Sequence, residues 1–296
     1  MQAHIGDITL EYDTFGSPDD PTILLVMGLA TQMIAWQPAF CEMLAGHGFH
    51  VVRFDNRDIG LSTKHDGVPS GIDGLQSALK LRLTGKAPYY LSDLANDAFG
   101  LLDSLGVAKA HVVGVSMGGM IVQQMAILHP ERLLSMTSIM STTGSMFVGH
   151  SRLEAMKMMF RPEAADREEA INGSVEVRRI TSPHHFNLTE ARKWAEAAFD
   201  RSHYPEGGGR QLAAIFASGN RTKALREVTV PTLVIHGEAD PLVNISGGRA
   251  TAKAIPGSTF KSYPTMGHDL PESLWPELTT DIAEHAKRSA SQIPAT

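Results

Sequence analysis

The chain has 296 residues, 43% of them hydrophobic and 20% charged, which suits one large domain, or one domain carrying an insertion, around a substantial core. A net charge of −6 with no basic cluster argues against nucleic acid and anionic membranes as partners. Cys41 is the single cysteine, which excludes an intramolecular disulfide; no Cys/His spacing suggests zinc, and the longest apolar run, Ile23 to Ala30, is too short to span a bilayer.

The first residues, Met1 to His4, show no charged segment leading into an apolar core, so no secretory signal is expected and the cytoplasm is the default location. Ile5 to Tyr12 alternates loosely before the turn-rich Gly16 to Pro21, which predicts an edge strand pair. Thr22 to Met27 reads as a strand buried on both faces, ended by Gly28. Trp36 to Leu44 carries apolar residues at helical spacing, and His50 to Phe54 is the next buried strand. It runs into the polar turn Asp55 to Gly60. Thr63 to Tyr90 is a long polar and glycine-rich stretch with a short helix over Leu75 to Leu83; such long connections are often functional. Ser92 is the expected cap of an amphipathic helix that buries Leu94, Ala98, Leu101, Leu102 and Leu105 and ends at Gly106.

The next stretch reads H-V-V-G-V-S-M-G-G from His111 to Gly119. A β-branched run meets Gly114-Val115-Ser116-Met117-Gly118, and an apolar helix follows at once. That is strand, sharp turn, helix, with a serine at the bend. The strained turn would expose the hydroxyl, and the glycines would leave room where strand and helix nearly touch. Leu133 to Met140 is another buried strand. From Thr143 to Leu225 no buried strand appears, and helices are expected over Arg152 to Phe160, Asp166 to Asn172, Thr189 to Phe199 and Arg210 to Ala217. This segment reads as a helical insertion. Strand pattern resumes at Val228 to His236 and Thr259 to Tyr263, with helices at Arg249 to Ala254 and around Leu274, Leu278 and Ile282.

Strands alternating with helices predict a mostly parallel sheet covered on both faces, with chemistry at the carboxyl ends of its strands. Gly28, Asp55, Ser116, Asp240 and His268 all fall just after predicted strands. A serine hydroxyl needs a base in hydrogen-bond reach, and the base needs a carboxylate to orient it. His268 is the candidate base, with Gly267 before it permitting a tight bend. Asp240, held extended before Pro241, is the candidate carboxylate, and Glu238 is the second choice. His236 and His129 read as structural. His184, His185 and His203 lie in the insertion, where they line a pocket at most. A tetrahedral intermediate needs two backbone N–H donors; Met117, at the start of a helix, and Leu29, in the loop after Met27, are the candidates. The bland alternatives are a turn serine, a turn aspartate before proline and a plain strand-ending turn at Gly28-Leu29.

Five stretches together carry a resemblance: Val26 to Leu29, Arg53 to Ser62, Val113 to Gly119, His236 to Asp240 and Gly267 to Pro271. On them the chain resembles serine carboxylesterases of the α/β-hydrolase fold, most closely the aclacinomycin methylesterase-like branch. The resemblance implies an α/β fold with a mostly parallel central sheet and helices on both faces. It divides the chain into a core of residues 1–142 and 226–296 and a helical cap of residues 143–225. It also implies Ser116 as nucleophile, His268 as base, Asp240 as its partner and Leu29 with Met117 as oxyanion hole. Many relatives have His-Gly where this chain has Met27-Gly28, which makes that loop less polar. A serine at 116 speaks against dehalogenases and epoxide hydrolases of this fold, which use an aspartate. Asp55 and Arg57 are expected to brace loops near the site.

The insertion is rich in methionine, with Met146, Met156, Met158 and Met159 inside it and Met140 at its root. Methionine usually fills core space, but over a catalytic serine it lines adaptable apolar pockets. Gly28, Trp36, Met140, Met146, Met156 and Met159 are the candidate pocket residues, and no arginine of the insertion stands out as a carboxylate clamp. The expected substrate is a small to medium, apolar carboxylic ester, cleaved through an acyl-enzyme without cofactor or metal. The sequence leaves the oligomeric state open. The same serine, histidine and aspartate would serve a cofactor-free haloperoxidase or perhydrolase, an acyltransferase or a carbon–carbon hydrolase. A reading of another class is a ligand-binding sensor with a vestigial triad.

Overall fold

A computed structural model of the chain describes residues 1–70, 75–160 and 164–290. Its order begins with strands β1 (Gln2–Ile5), β2 (Ile8–Phe15) and β3 (Thr22–Val26), helix α1 (Pro38–Gly46) and strand β4 (His50–Phe54). Helices α2 (Leu75–Thr84) and α3 (Leu91–Ser104), strand β5 (Ala110–Val115), helix α4 (Met117–Leu128) and strand β6 (Leu133–Ile139) follow. Five helices come next: α5 (Leu153–Met159), α6 (Arg167–Thr181), α7 (Leu188–Arg201), α8 (Pro205–Ser218) and α9 (Thr222–Leu225). The chain then adds β7 (Thr232–Gly237), α10 (Ser246–Ala254), β8 (Thr259–Tyr263) and α11 (Trp275–Ala290). Among the described residues one sheet runs in the order β1-β2-β4-β3-β5-β6-β7-β8. The first two strands pair antiparallel, as does β2 with β4, and every later pairing is parallel.

The apolar run of β3 is explained by its place at the centre of this sheet. Ile23 and Leu25 belong to the cluster that packs Trp36, Phe40, Leu44, Trp275, Leu278 and Ile282. Leu24 and Val26 belong to the other, with Leu94, Leu101, Leu102, Ile121 and Met125. Side chains alternate across a strand, so a continuous apolar run fills two cores, with α1 and α11 on one face and α3 and α4 on the other.

Two helix starts differ from the sequence expectation. Helix α3 is capped two residues earlier than Ser92, at Tyr90: it begins at Leu91, and the Asp93 carboxylate accepts the Tyr90 N–H at 2.7 Å. Helix α1 begins at Pro38, a residue suited to the first helical position, while Trp36 sits in the preceding turn. In the insertion, α6 runs to Thr181, well beyond the expected Asn172; its buried Ile171 and Ile180 lie on one side while Glu168 and Glu176 remain exposed or half-exposed.

The insertion between β6 and β7 is fastened to the sheet by buried ion pairs. Arg201 of α7 meets Asp55 at 2.7 Å, and Arg210 of α8 meets Asp58 at 2.9 Å. Asp58 also accepts the Tyr89 hydroxyl and the His65 N–H, each at 2.8 Å. Burial raises the Asp58 pKa, but the bonds from Arg210, His65 and Tyr89 outweigh it and hold the carboxyl below its ordinary value. Asp58→Ala would leave Arg210, 2% exposed, without its counter-charge, and the expected loss is about 3–5 kcal/mol. Asp103→Ala, at the exposed Arg132 pair, is expected to lose less than about 1 kcal/mol. Urea unfolding of both variants measures the contrast, and equal losses would refute it.

Candidate active site

Ser116 stands at the bend between β5 and α4 with φ 57° and ψ −117°, a conformation a side-chain-bearing residue rarely adopts. The flanking glycines explain how the bend closes. A Cβ on Gly114 would lie 2.1 Å from the Gly118 carbonyl oxygen, and one on Gly118 would lie 2.1 Å from that of Val26. Strand, helix and the neighbouring β3 therefore touch backbone to backbone. The Ser116 N–H bonds the Ile139 carbonyl at 2.9 Å, and the Ser141 hydroxyl donates to the Ser116 carbonyl at 2.8 Å.

The structure brings Ser116, His268 and Asp240 together from the ends of three strands. Ser116 Oγ lies 2.9 Å from His268 Nε2, and His268 Nδ1 lies 2.8 Å from Asp240 Oδ2. With the proton on Nδ1, the imidazole donates to Asp240 and accepts from Ser116. The other oxygen of Asp240 accepts the N–H groups of Leu242 and Val243, both at 2.8 Å. Burial alone would raise the Asp240 pKa; the charge and hydrogen bond of His268, with the nearby His236 imidazole, prevail and hold it well below the usual carboxylate range. Glu238 turns elsewhere, accepting the Ser262 hydroxyl at 2.7 Å. His236 is fully buried, donates to the Val243 carbonyl at 2.7 Å and backs Asp240 at 3.5 Å.

Gly267 serves clearance more than bending. A Cβ there would meet the Thr181 carbonyl at 2.2 Å, and that carbonyl accepts the His268 N–H at 2.8 Å. The last residue of α6 thus holds the backbone of the histidine. On the opposite side, the loop after β3 carries Leu29. The Asn56 amide donates to the Met27 carbonyl at 3.0 Å, and the Ala30 N–H donates to Gln211 Oε1 at 2.9 Å. Among the described residues, the Leu29 and Met117 N–H groups have no protein acceptor. Ala30, with φ 53°, is another strained residue beside the serine. Asp55 braces this loop by accepting the Met33 N–H at 2.7 Å, and Arg57 pairs with Asp97.

A cavity of about 1310 Å³ opens over Ser116 and His268, roofed by the insertion and by residues 66–70. Gly28 and Met140 line it. Trp36 does not: it is 1% exposed and packs against Phe40 on the far face of the sheet. Met146 points to solvent at 56% exposure. Met156 is half-buried away from the lining, where Met158 stands instead, and the Met159 side chain lies outside the described residues. Residues that the sequence did not single out complete the wall, among them Trp194, Arg178 and Arg210. Of these two arginines, Arg210 is answered by Asp58, and Arg178 has no ion-paired partner among the described residues. His203 also lines the cavity, stacked on Phe199 at 4.4 Å, whereas His185 bonds Thr265 and His129 sits exposed beside Glu131. Among the described residues no group of three or more His, Cys, Asp or Glu side chains is placed to hold a metal ion, and no helix is long and apolar enough to cross a membrane.

A serine at a strained strand-to-helix turn, bonded to an imidazole that a buried carboxylate orients, can attack an acyl carbon. Comparison with known proteins places the fold in a family. Residues 21–273 match the family described as alpha/beta hydrolase fold, and the chain belongs to it. It is 29% identical to rhodomycin D methylesterase DnrP of Streptomyces peucetius, over 95% of this chain and 96% of that protein. It is 27% identical to rhodomycin D methylesterase DauP of Streptomyces sp. (strain C5), over the same shares. Among solved structures, a meta-cleavage product hydrolase from Pseudomonas fluorescens IP01 superposes with a TM-score of 0.78 at 16% identity, covering 98% of each chain.

The Asp240 carboxyl supplies a pH-dependent part of the stability. Its folded pKa is depressed below the ordinary 3.8, so its contribution is complete above that value and is lost as pH falls through the lower, folded one. The stability advantage of the wild type over Asp240→Asn is therefore expected to be constant from about pH 7 to about pH 5 and to shrink toward about pH 3. Urea unfolding across that range reads it; an advantage that grows on acidification would contradict the charge on this group.

Proposed function

We propose that the protein is a serine carboxylesterase acting on a small-molecule, largely apolar carboxylic ester through an acyl-enzyme. The observation that carries the reading is the continuous hydrogen-bonded line from Ser116 Oγ through the His268 ring to Asp240. His268 Nε2 takes the Ser116 proton as Oγ attacks the ester carbon. The imidazolium that forms is stabilised by Asp240, which stays ionised. The carbonyl oxygen, now an oxyanion, receives the N–H groups of Leu29 and Met117, the second aided by the positive end of α4. His268 then passes its proton to the departing alcohol. Water, deprotonated by the same ring, releases the acid and restores Ser116.

Residues 143–225 act as the cap and residues 1–142 with 226–296 as the core of this enzyme. Likeness to two proteins named methylesterases supports an ester as substrate. The cavity, at about 1310 Å³, exceeds the usual span of small-ligand pockets and leaves room for an ester above the small end of the expected range. Its wall mixes apolar side chains such as Met140, Met158 and Phe216 with polar ones such as Thr142, Ser174 and His203.

A chain-length series of p-nitrophenyl esters tests the reaction. Ser116→Ala is expected to lower turnover by about 10⁴- to 10⁶-fold, the scale on which nucleophile removal acts in serine hydrolases. Unchanged rates, or a phosphonate trapped on another residue, would sink the mechanism.

Gln211 tests the oxyanion loop separately. It is fully buried in α8 and bridges the Ala30 N–H to the Arg57 carbonyl, at 2.9 and 3.0 Å. Gln211→Ala is expected to lower kcat about 10- to 100-fold with little change in KM, because a displaced Leu29 N–H serves the transition state alone. Gln211→Glu keeps an acceptor for Ala30 and should recover part of the loss. A purely structural glutamine would instead lower the melting temperature and leave kcat of the folded fraction intact.

A further inference from the structure

Arg178 and Trp194 line the cavity on adjoining helices of the insertion. Arg178 of α6 has no hydrogen-bonded or ion-paired partner among the described residues; its guanidinium lies over the Trp194 ring of α7, 5.8 Å from the centroid. Trp194 Nε1 is buried and has no acceptor among the described residues, so the ring's contribution here is its face. The other arginine in the wall behaves differently, since Arg210 is spent on Asp58, Tyr204 and the Val68 carbonyl. An indole N–H is a donor only, and a guanidinium offers five donors and no acceptor. A half-buried guanidinium with no acceptor and no counter-charge is unfavourable.

The acid that acts on Arg178 from within electrostatic range does not pair with it. Asp269, beside His268, lies within electrostatic range but forms no ion pair with it, and one of its oxygens accepts the Gly267 N–H at 2.9 Å. Burial lowers the Arg178 pKa, and Asp269 offsets this only in part. Arg178 stands three residues before Thr181, whose carbonyl holds the His268 backbone. On a helix that is less than one turn, about 4.5 Å of rise. The unmet cation is therefore on the part of the wall joined to the catalytic loop.

We infer that Arg178, held over the Trp194 ring, binds a carboxylate of the substrate, so that the ester cleaved here is the ester of a molecule bearing a second, free acid group. The inference rests on the esterase reading and adds to it the chemical class of the substrate. A carboxylate supplies two acceptor oxygens in one plane and matches the planar fork of a guanidinium.

The test compares p-nitrophenyl monoesters of linear dicarboxylic acids with p-nitrophenyl alkanoates of matching length. It also compares para-acetoxybenzoate with phenyl acetate, where the charge is on the leaving group. Wild type, Arg178→Gln and Arg178→Lys are assayed on each. In Arg178→Gln, kcat/KM is expected to fall about 10- to 100-fold on an acid-bearing ester, the range for one charged hydrogen bond. The neutral counterpart should change little, and Arg178→Lys should recover part of the loss. Equal losses on charged and neutral esters, or none on either, would overturn the inference. Calorimetry on Ser116→Ala with adipic acid monomethyl ester, with and without Arg178→Gln, reads the site without turnover. Binding that weakens with Arg178→Gln supports the inference even if the wild type cleaves no ester and the esterase reading falls; binding that is absent or unaffected overturns it.

Discussion

The close contact of β5, α4 and β3 is the constraint on which the rest of the site depends. Backbone meets backbone at Gly114, Gly118 and Val26 with no room for a single Cβ. The chain has only one way to turn from strand to helix in that space, and the turn puts Ser116 at a positive φ. Such a conformation is unfavourable in isolation and persists because the surrounding structure over-determines it. Here the determinants are the Ile139 carbonyl, the Ser141 hydroxyl and the packed core under α4. The consequence is chemical. The hydroxyl leaves the fold at the carboxyl edge of the sheet, and the first N–H groups of α4 point at the same space.

Asp240 is held with the same redundancy. Two backbone N–H groups and one imidazole bond its carboxylate, and a second imidazole backs it. A buried carboxylate with this many donors stays ionised and stays still. His268 therefore meets a fixed charge on one side and the serine on the other, so its orientation needs no rearrangement when a proton moves. His236, which a residue-by-residue view leaves as a core histidine, has a share in this by donating its one N–H to Val243 and thereby shaping the loop that feeds Asp240.

What could be read from residues alone follows from how local each feature is. The strand runs and the G-x-S-x-G turn are local, because both are dictated by burial on two faces and by clearance at the bend. The loop ends after β3, β5, β7 and β8 are nearly local, since a parallel sheet brings every carboxyl end to one edge. Side-chain direction in the insertion is not local. Composition placed methionines over the serine, yet Met146 faces solvent and Trp36 sits in the opposite core. Helix α6 has no strong apolar stripe in sequence, and its rotation is set by Thr181 bonding His268 and by packing against α7. Arg178 reaches the cavity only through that rotation, so nothing in its sequence neighbourhood marks it out from Arg179, which faces Glu154 and Glu176 outside.

These contacts give the insertion a role beyond covering the pocket. Helix α6 holds His268 through the Thr181 carbonyl, α7 accepts Gln32 through the carbonyls of Ala198 and Ser202, and α8 holds Ala30 through Gln211. Arg201 and Arg210 then lock α7 and α8 onto Asp55 and Asp58, the polar turn after β4. The loop carrying Leu29 and the loop carrying His268 are thus both fixed from the same set of helices that lines the cavity. A ligand that pressed α6 and α7 together would act on the serine's partners through two short hydrogen-bonded paths, with no movement of the sheet. The shape of the cavity and the geometry at Ser116 are physically one problem in this fold, because α6, α7 and α8 line the cavity and each also bears a backbone or side-chain group that holds a loop beside Ser116.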